Sequence, residues 1–361
     1  MATIAELRYW CFGGDAPAEG GESLPDSPVF RAMAYRFAPE KYSCFRDDYR
    51  RAAMNELPLS VEYRRIANAF REKKIRFAPI KGADLAESCY PDPALRVRCD
   101  IDLLIHADDV GRAVETAGNE GWRAAHEYRN LNHVPSMYKK NAMLELHFNL
   151  PDFPRDRSAE VWQTLVAQND SSEYRLPREL ALVVAFRHAR IHRWMNSAPL
   201  IADCAFLLKA GVDWELVRSF AAKFDSADPA LLCFALPELF PAETMPPGPP
   251  PPEELRLALR EALLHPVNFD RRRDADVMNR GDRFGAAWWK ERMRGFSPSS
   301  VRMNYNLPDS AGFWRMTAAY FRMCGDKAKL AWRGMRGKDP ELTAALRRVE
   351  RIEKGLESLK K

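Results

Sequence analysis

Long apolar runs are missing from this chain. No stretch approaches the ~18 uncharged apolar residues that a membrane-crossing helix needs, so no span is expected. Residues 1–21, MATIAELRYWCFGGDAPAEGG, lack a basic region followed by an apolar one. A secretory leader is therefore not expected, and the cytoplasm is the expected compartment. Cysteine is scarce: Cys11, Cys44, Cys89, Cys99, Cys204, Cys233 and Cys324 stand singly, odd in number and without a CxxC pair. That argues against a disulfide framework and against a thiolate zinc site. A dominant charge is lacking too, since 55 Lys and Arg face 50 Asp and Glu for a net +5. Such a balance accommodates a phosphate-bearing ligand but argues against nucleic acid, which calls for a concentrated basic face. The one dense basic run, Arg271–Arg273, is diluted by Asp274 and Asp276.

What is present is core-forming material. The chain has 361 residues, 46% of them hydrophobic, with 9 Trp, 19 Phe and 11 Tyr, which excludes disorder as a whole. That length corresponds to about two domains. Residues 1–57 read as a loop-rich or helical segment, with Gly13, Gly14, Gly20, Gly21, Pro17 and Pro25 as breakers. A helix is expected from Pro58 to Lys73, where Val61, Ile66, Ala67 and Phe70 recur at helical spacing. A short run at Arg76–Ile80 is broken by Lys81-Gly82, and one or two helical turns follow at Ala83–Tyr90. Cys99–His106 reads as a strand, and Ala107–Glu120 as an amphipathic helix stopped by Gly121. Trp122–Tyr128, His133–Lys139 and Ala142–Leu150 are strand candidates. The fold class expected is α+β: a small mixed sheet with flanking helices over 58–155, then a larger, mostly helical region.

Within that region, helices are expected at Arg178–Trp194, Ala198–Ala210, Val212–Phe224 and Pro229–Phe240. The helical domain is bounded at 156–240. Residues 241–252, with seven prolines, read as an exposed linker. Residues 253–361 read as a helical C-terminal region whose last part, Pro340–Lys361, is charged and solvated. Trp288-Trp289 reads as core rather than as a base-stacking platform.

The chemistry concentrates between Ile80 and His147. On a strand, alternate residues share a face, so Asp100 and Asp102 project together while Ile101 and Leu103 turn to the core. Adjacent carboxylates repel unless a positive charge sits between them. A Mg²⁺ ion, or a pair of ions, supplies that charge through hard oxygen ligands. In Ala142–Leu150, Met143, Glu145 and His147 share one face, which makes Glu145 a candidate third carboxylate. Three carboxylates around divalent ions suit phosphoryl or nucleotidyl transfer. Gly82, between a short strand and a helix, can let phosphates approach backbone N–H groups, with Lys81 and Arg96 adding positive charge.

The segment IKGADLAESCYPDPALRVRCDIDLLIHADDVGRAVETAGNEGW and the later MLELHFNL resemble the uncharacterised nucleotidyltransferase family of the DNA polymerase beta superfamily. The resemblance spans about residues 58–210, including RHARIHRW and IADCAFLL. It implies a nucleotidyltransferase sheet that uses Mg²⁺ or Mn²⁺ and an NTP. Asp100 and Asp102 would be the paired metal ligands, Glu145 the third carboxylate, and Gly82 the opening of the phosphate loop. One departure is Ala83, where better-characterised relatives carry a Ser after the glycine. It keeps open an alternative, a catalytically inactive nucleotide-binding or regulatory module of the same fold. His147, His188, His192 and Asp203 are candidates for the acceptor side, the acceptor being an unidentified small molecule, peptide or protein.

Overall fold

The structure, a computed structural model, describes residues 1–17, 20–124, 134–151, 153, 157–168, 172–195, 197–266, 301, 312–335 and 340–359. The Arg271–Arg273 run, the Trp288-Trp289 pair and the far part of the Trp122–Tyr128 strand lie outside the described residues.

The N-terminal segment is more helical than its glycines suggest. α1 (Ile4–Phe12) starts with a capping box between Thr3 and Glu6. α2 (Pro28–Phe37) starts on a Ser27 cap with proline in its first turn. The helix expected from Pro58 begins much earlier, since α3 runs over Arg46–Glu72 with Pro58 inside it. Proline there reads naturally as a helix start, because it lacks the N–H that an interior position donates. Yet Ala52, Glu56, Leu59, Tyr63, Ile66 and Phe70 are all buried at spacings of three and four across the proline. Burial of one continuous face outweighs the hydrogen bond lost at Pro58.

Five strands form the main sheet in the order β1 (Phe77–Pro79), β2 (Ile101–Ile105), β5 (Ala142–His147), β4 (Met137–Lys139), β3 (Arg123–Ala124). β2 and β5 are parallel and the other pairs antiparallel, so the sheet is mixed. α4 (Lys81–Ser88) connects β1 toward β2, and α5 (Val110–Asn119) follows β2. The pleat sorts the side chains. Ile101, Leu103, Ile105, Leu144 and Leu146 pack with Ile66 and Phe70 of α3 and with Ala113 and Ala117 of α5. The opposite face carries Asp102, Glu145 and His147 toward the helical region.

That region holds α6 (Ser158–Thr164), a two-stranded ribbon of β6 (Val166–Ala167) and β7 (Tyr174–Arg175), α7 (Arg178–Ile191), α8 (Ser197–Lys209), α9 (Trp214–Lys223) and α10 (Ala230–Ala235). α8 is apolar nearly all round and almost wholly buried, a central helix by composition. Most of the proline-rich segment is exposed, as its sequence predicts. α11 (Glu253–Leu264) then returns to the same core as α7 and α8. α12 (Phe313–Met335) and α13 (Pro340–Ser358) complete the described elements. The solvated reading of Pro340–Lys361 needs correction. Val349, Ile352 and Leu356 recur at helical spacing and are buried, and a Cβ built on Gly355 would meet Leu255 Cδ1 at 2.9 Å. Its apolar stripe packs on α11, and Arg348 is buried there too, bonded to the carbonyls of Glu261 and His265.

Candidate active site

Parallel pairing of β2 with β5 sets Asp102 directly opposite Glu145 and Leu104 opposite His147. Asp100 sits one residue before β2 begins. Around Asp102 the contacts are dense. Its Oδ1 accepts a hydrogen bond from Lys81 Nζ at 3.1 Å and lies 2.7 Å from His147 Nε2. His147 Nε2 is also 3.4 Å from Glu145 Oε2, and Ser136 Oγ donates to Glu145 Oε1 at 3.1 Å. One ligating atom each from Asp102, Glu145 and His147 lies within 4.8 Å of the others. Asp100 lines the same cleft but stands outside that tight trio.

Electrostatics separates the two aspartates. Burial pushes both carboxyls up. At Asp102 the Lys81 ammonium and the His147 hydrogen bond more than offset burial, holding it well below the usual carboxylate range. At Asp100, burial and the neighbouring Asp102 charge raise the pKa to about 6, against the pull of Lys81. Burial would lower Lys81, but Asp102 and Asp100 raise it, so it stays an ammonium. Burial also works against a charged His147, and its bonds to Asp102 and Glu145 reverse that effect. The carboxylate oxygens of Asp102 and Glu145, taken from two adjacent strands, suit a divalent cation, with His147 hydrogen-bonded beside them.

α4 delivers Lys81 at an unusual backbone angle. Its φ is 51°, in the left-handed region where lysine is disfavoured. Gly82 follows where the neighbouring chain leaves a side chain little room. A Cβ there would meet Arg98 Cβ at 3.3 Å, Arg98 Cδ at 3.4 Å and Arg96 Nη1 at 3.6 Å. Arg98 is fixed in turn by a buried two-pronged pair with Glu56, at 2.9 and 2.6 Å. Ala83 is 1% exposed within the core beneath the sheet, so position 83 points away from the cleft in this chain.

The opposite wall comes from α7 and α8. His188 and His192 lie near the end of α7 with ring centroids 4.1 Å apart. Asp203 of α8 accepts from Tyr90 Oη at 2.6 Å and from Arg96 Nε at 2.6 Å. Burial raises the Asp203 carboxyl, opposed chiefly by the Arg96 guanidinium. Between the walls lies a cleft of about 640 Å³. Every candidate read from the sequence lines it, from Lys81, Gly82 and Arg96 through the carboxylates to the histidines and Asp203.

The sequence reading missed the supports. Arg98 lies two residues beyond Arg96 and two before Asp100, so its position was the available signal. Glu56, embedded in a charged helix, gives none. Tyr90 was visible in the Tyr-Pro pair, but its bond to Asp203, 113 residues away, was not.

Carboxylates on two adjacent strands of a mixed sheet thus face a helical wall across a cleft. The uncharacterised nucleotidyltransferase family matches the chain over residues 34–241, more than half its length, and the chain belongs to that family. No curated protein and no solved structure matches it.

Proposed function

We propose that this protein is an Mg²⁺- or Mn²⁺-dependent nucleotidyltransferase that moves a nucleoside monophosphate from an NTP to an acceptor and releases pyrophosphate. The observation that carries the reading is the facing of Asp102 and Glu145 across paired parallel strands at the floor of a cleft that also holds Asp100. A divalent ion held there would supply positive charge to the reacting phosphate. Asp102 and Glu145 would hold it, with Asp100 beside them. Lys81 keeps Asp102 ionised and adds positive charge to the triphosphate side. Gly82 lets the chain pass close beside Arg96 and Arg98. Glu145 or Asp100 would accept the acceptor's proton as its oxygen or nitrogen attacks the α-phosphorus.

The helical wall would select the acceptor, a small molecule, peptide or protein, through His188 and His192, with His147 between the two sides. Arg96 and Asp203 neutralise each other there, so their pair acts chiefly to fix α8 against the loop before β2. The two walls divide the work. The sheet side handles what every NTP shares, and the helical side handles what distinguishes the acceptor.

Thermal unfolding with Mg²⁺ or Mn²⁺ and each of the four common NTPs tests this reading. A bound pair of ligands should raise the melting temperature by mass action. Asp102→Asn, which removes charge but not volume, should abolish the metal-dependent part. Retention of the full shift in Asp102→Asn would remove the metal centre from this position.

A further inference from the structure

The carboxylate cluster contains a cation of its own. Lys81 Nζ lies 3.1 Å from Asp102 Oδ1, and the lysine side chain is only 17% exposed. We propose that the Lys81 ammonium fills one of two cation positions in this cluster, so that the site takes a single divalent ion. The inference rests on reading the cluster as a metal centre and specifies its stoichiometry.

Three observations support it. The first is the use of Asp102's oxygens. A two-ion centre holds its ions about 3.5–4 Å apart, and a carboxylate between them gives one oxygen to each. Asp102 is the carboxylate so placed, with Asp100 before it on the chain and Glu145 beside it. Its Oδ1 already receives both the Lys81 ammonium and His147 Nε2, at 3.1 and 2.7 Å. One of the two bridging positions is therefore taken by the protein.

The second is charge. Asp100, Asp102 and Glu145 line the cleft with Lys81 among them. Three carboxylates against one ammonium and the His147 imidazole leave at most two negative charges, no more than one divalent ion carries. A second divalent ion would sit against an ammonium at the low effective dielectric of a buried site, where like charges repel strongly.

The third is the backbone. Lysine stands at a φ of 51°, where glycine or asparagine is the ordinary choice. The next residue is a glycine squeezed against Arg98 and Arg96. The chain accepts an unfavourable angle to place this side chain, and the side chain's partner is the central carboxylate.

Titration of the full chain with Mn²⁺ alone, followed by electron paramagnetic resonance, tests the proposal. Two ions ~4 Å apart give a spin-coupled spectrum; one ion gives an isolated six-line signal. The wild type should bind one isolated ion. Lys81→Gly removes the ammonium and suits the backbone angle, so the variant should fold, and it should show a coupled pair. Lys81→Arg keeps a cation and should show one isolated ion. A coupled pair in the wild type, or an isolated ion in Lys81→Gly, would overturn the assignment of Lys81. No bound Mn²⁺ in any of the three proteins would overturn the metal centre itself, and this stoichiometry with it.

Discussion

Arg96 Nε donates to Asp203 Oδ1 at 2.6 Å across 107 residues of chain, and this buried pair ties the loop before β2 to the central helix α8. Tyr90 Oη adds a second bond to the same oxygen at 2.6 Å. Two residues with separate expected roles, one for phosphate and one for the acceptor, are thus one another's partners.

The pair predicts a specific stability pattern. Removing one member of a buried ion pair strands the other and costs about 3–5 kcal/mol. Asp203→Ala and Arg96→Met should each lower stability by that order in urea unfolding. The double variant should cost clearly less than the sum, because no charge is left unpaired. Additive losses would mean that the two side chains do not depend on each other.

Gly82→Ala should be costly for a reason unrelated to helix propensity. The added Cβ meets Arg98 Cβ at 3.3 Å, so Arg98 must give by a few tenths of an ångström against the two bonds that hold it to Glu56. Overpacking of this kind costs about 1–3 kcal/mol. Since Lys81 precedes Gly82, metal-dependent stabilisation should weaken as well. Calorimetry with and without Mg²⁺ measures both; an unchanged melting temperature in Gly82→Ala would show that the contact relaxes freely.

Much of the site was legible because its residues lie on strands, where period-two alternation fixes which side chains share a face. The shared face of Asp102, Glu145 and His147 follows from that; Asp100 sits just before β2, outside the tight trio, and the family resemblance added the order of the motifs. The pairing of Lys81 with Asp102 and of Arg96 with Asp203 was not legible, since long side chains choose partners by tertiary approach rather than by spacing. α3 was half read. Pro58 marks a helix start by local rules, and only burial of Ala52 and Glu56 upstream reveals that the helix continues through it. α13 was misread for a similar reason: its charges dominate the composition, while its apolar stripe of Val349, Ile352 and Leu356 is narrow.

Asp84 supplies a pH dependence outside the cleft. Its carboxyl is buried on α4, and burial raises its pKa to about 7; Arg175 opposes this, while Glu87 and Glu173 add to it. Arg175 Nη1 is 3.5 Å from its Oδ1. An unfolded aspartate titrates near 3.9. Between that value and about 7 the folded state holds a proton that the unfolded state has lost, so stability falls as pH rises through this window. One such proton gives a slope of at most about 1.4 kcal/mol per pH unit. Asp84→Asn should flatten stability against pH over the window, measured by urea unfolding from pH 4 to 8. An equal slope in both proteins would assign the dependence to other groups.

The last prediction separates the two walls of the cleft. Asp102 stands on the sheet side, against Lys81 and His147, and Asp102→Asn removes the charge on which metal and triphosphate would depend. Loss of a charge-assisted interaction of about 1.5–3 kcal/mol corresponds to a fall of roughly 10- to 100-fold in NTP affinity. His188 stands on α7 across the cleft, against His192, and would act on the acceptor. His188→Ala should therefore bind NTP with Mg²⁺ almost as the wild type does. Its transfer rate should fall by about 100-fold, because the acceptor loses a contact that positions it for attack. Equilibrium titration with a fluorescent NTP, run beside a pyrophosphate-release assay, reads the two effects independently. If His188→Ala loses NTP affinity as severely as Asp102→Asn, the nucleotide lies against the helical wall and the roles of the two sides are reversed.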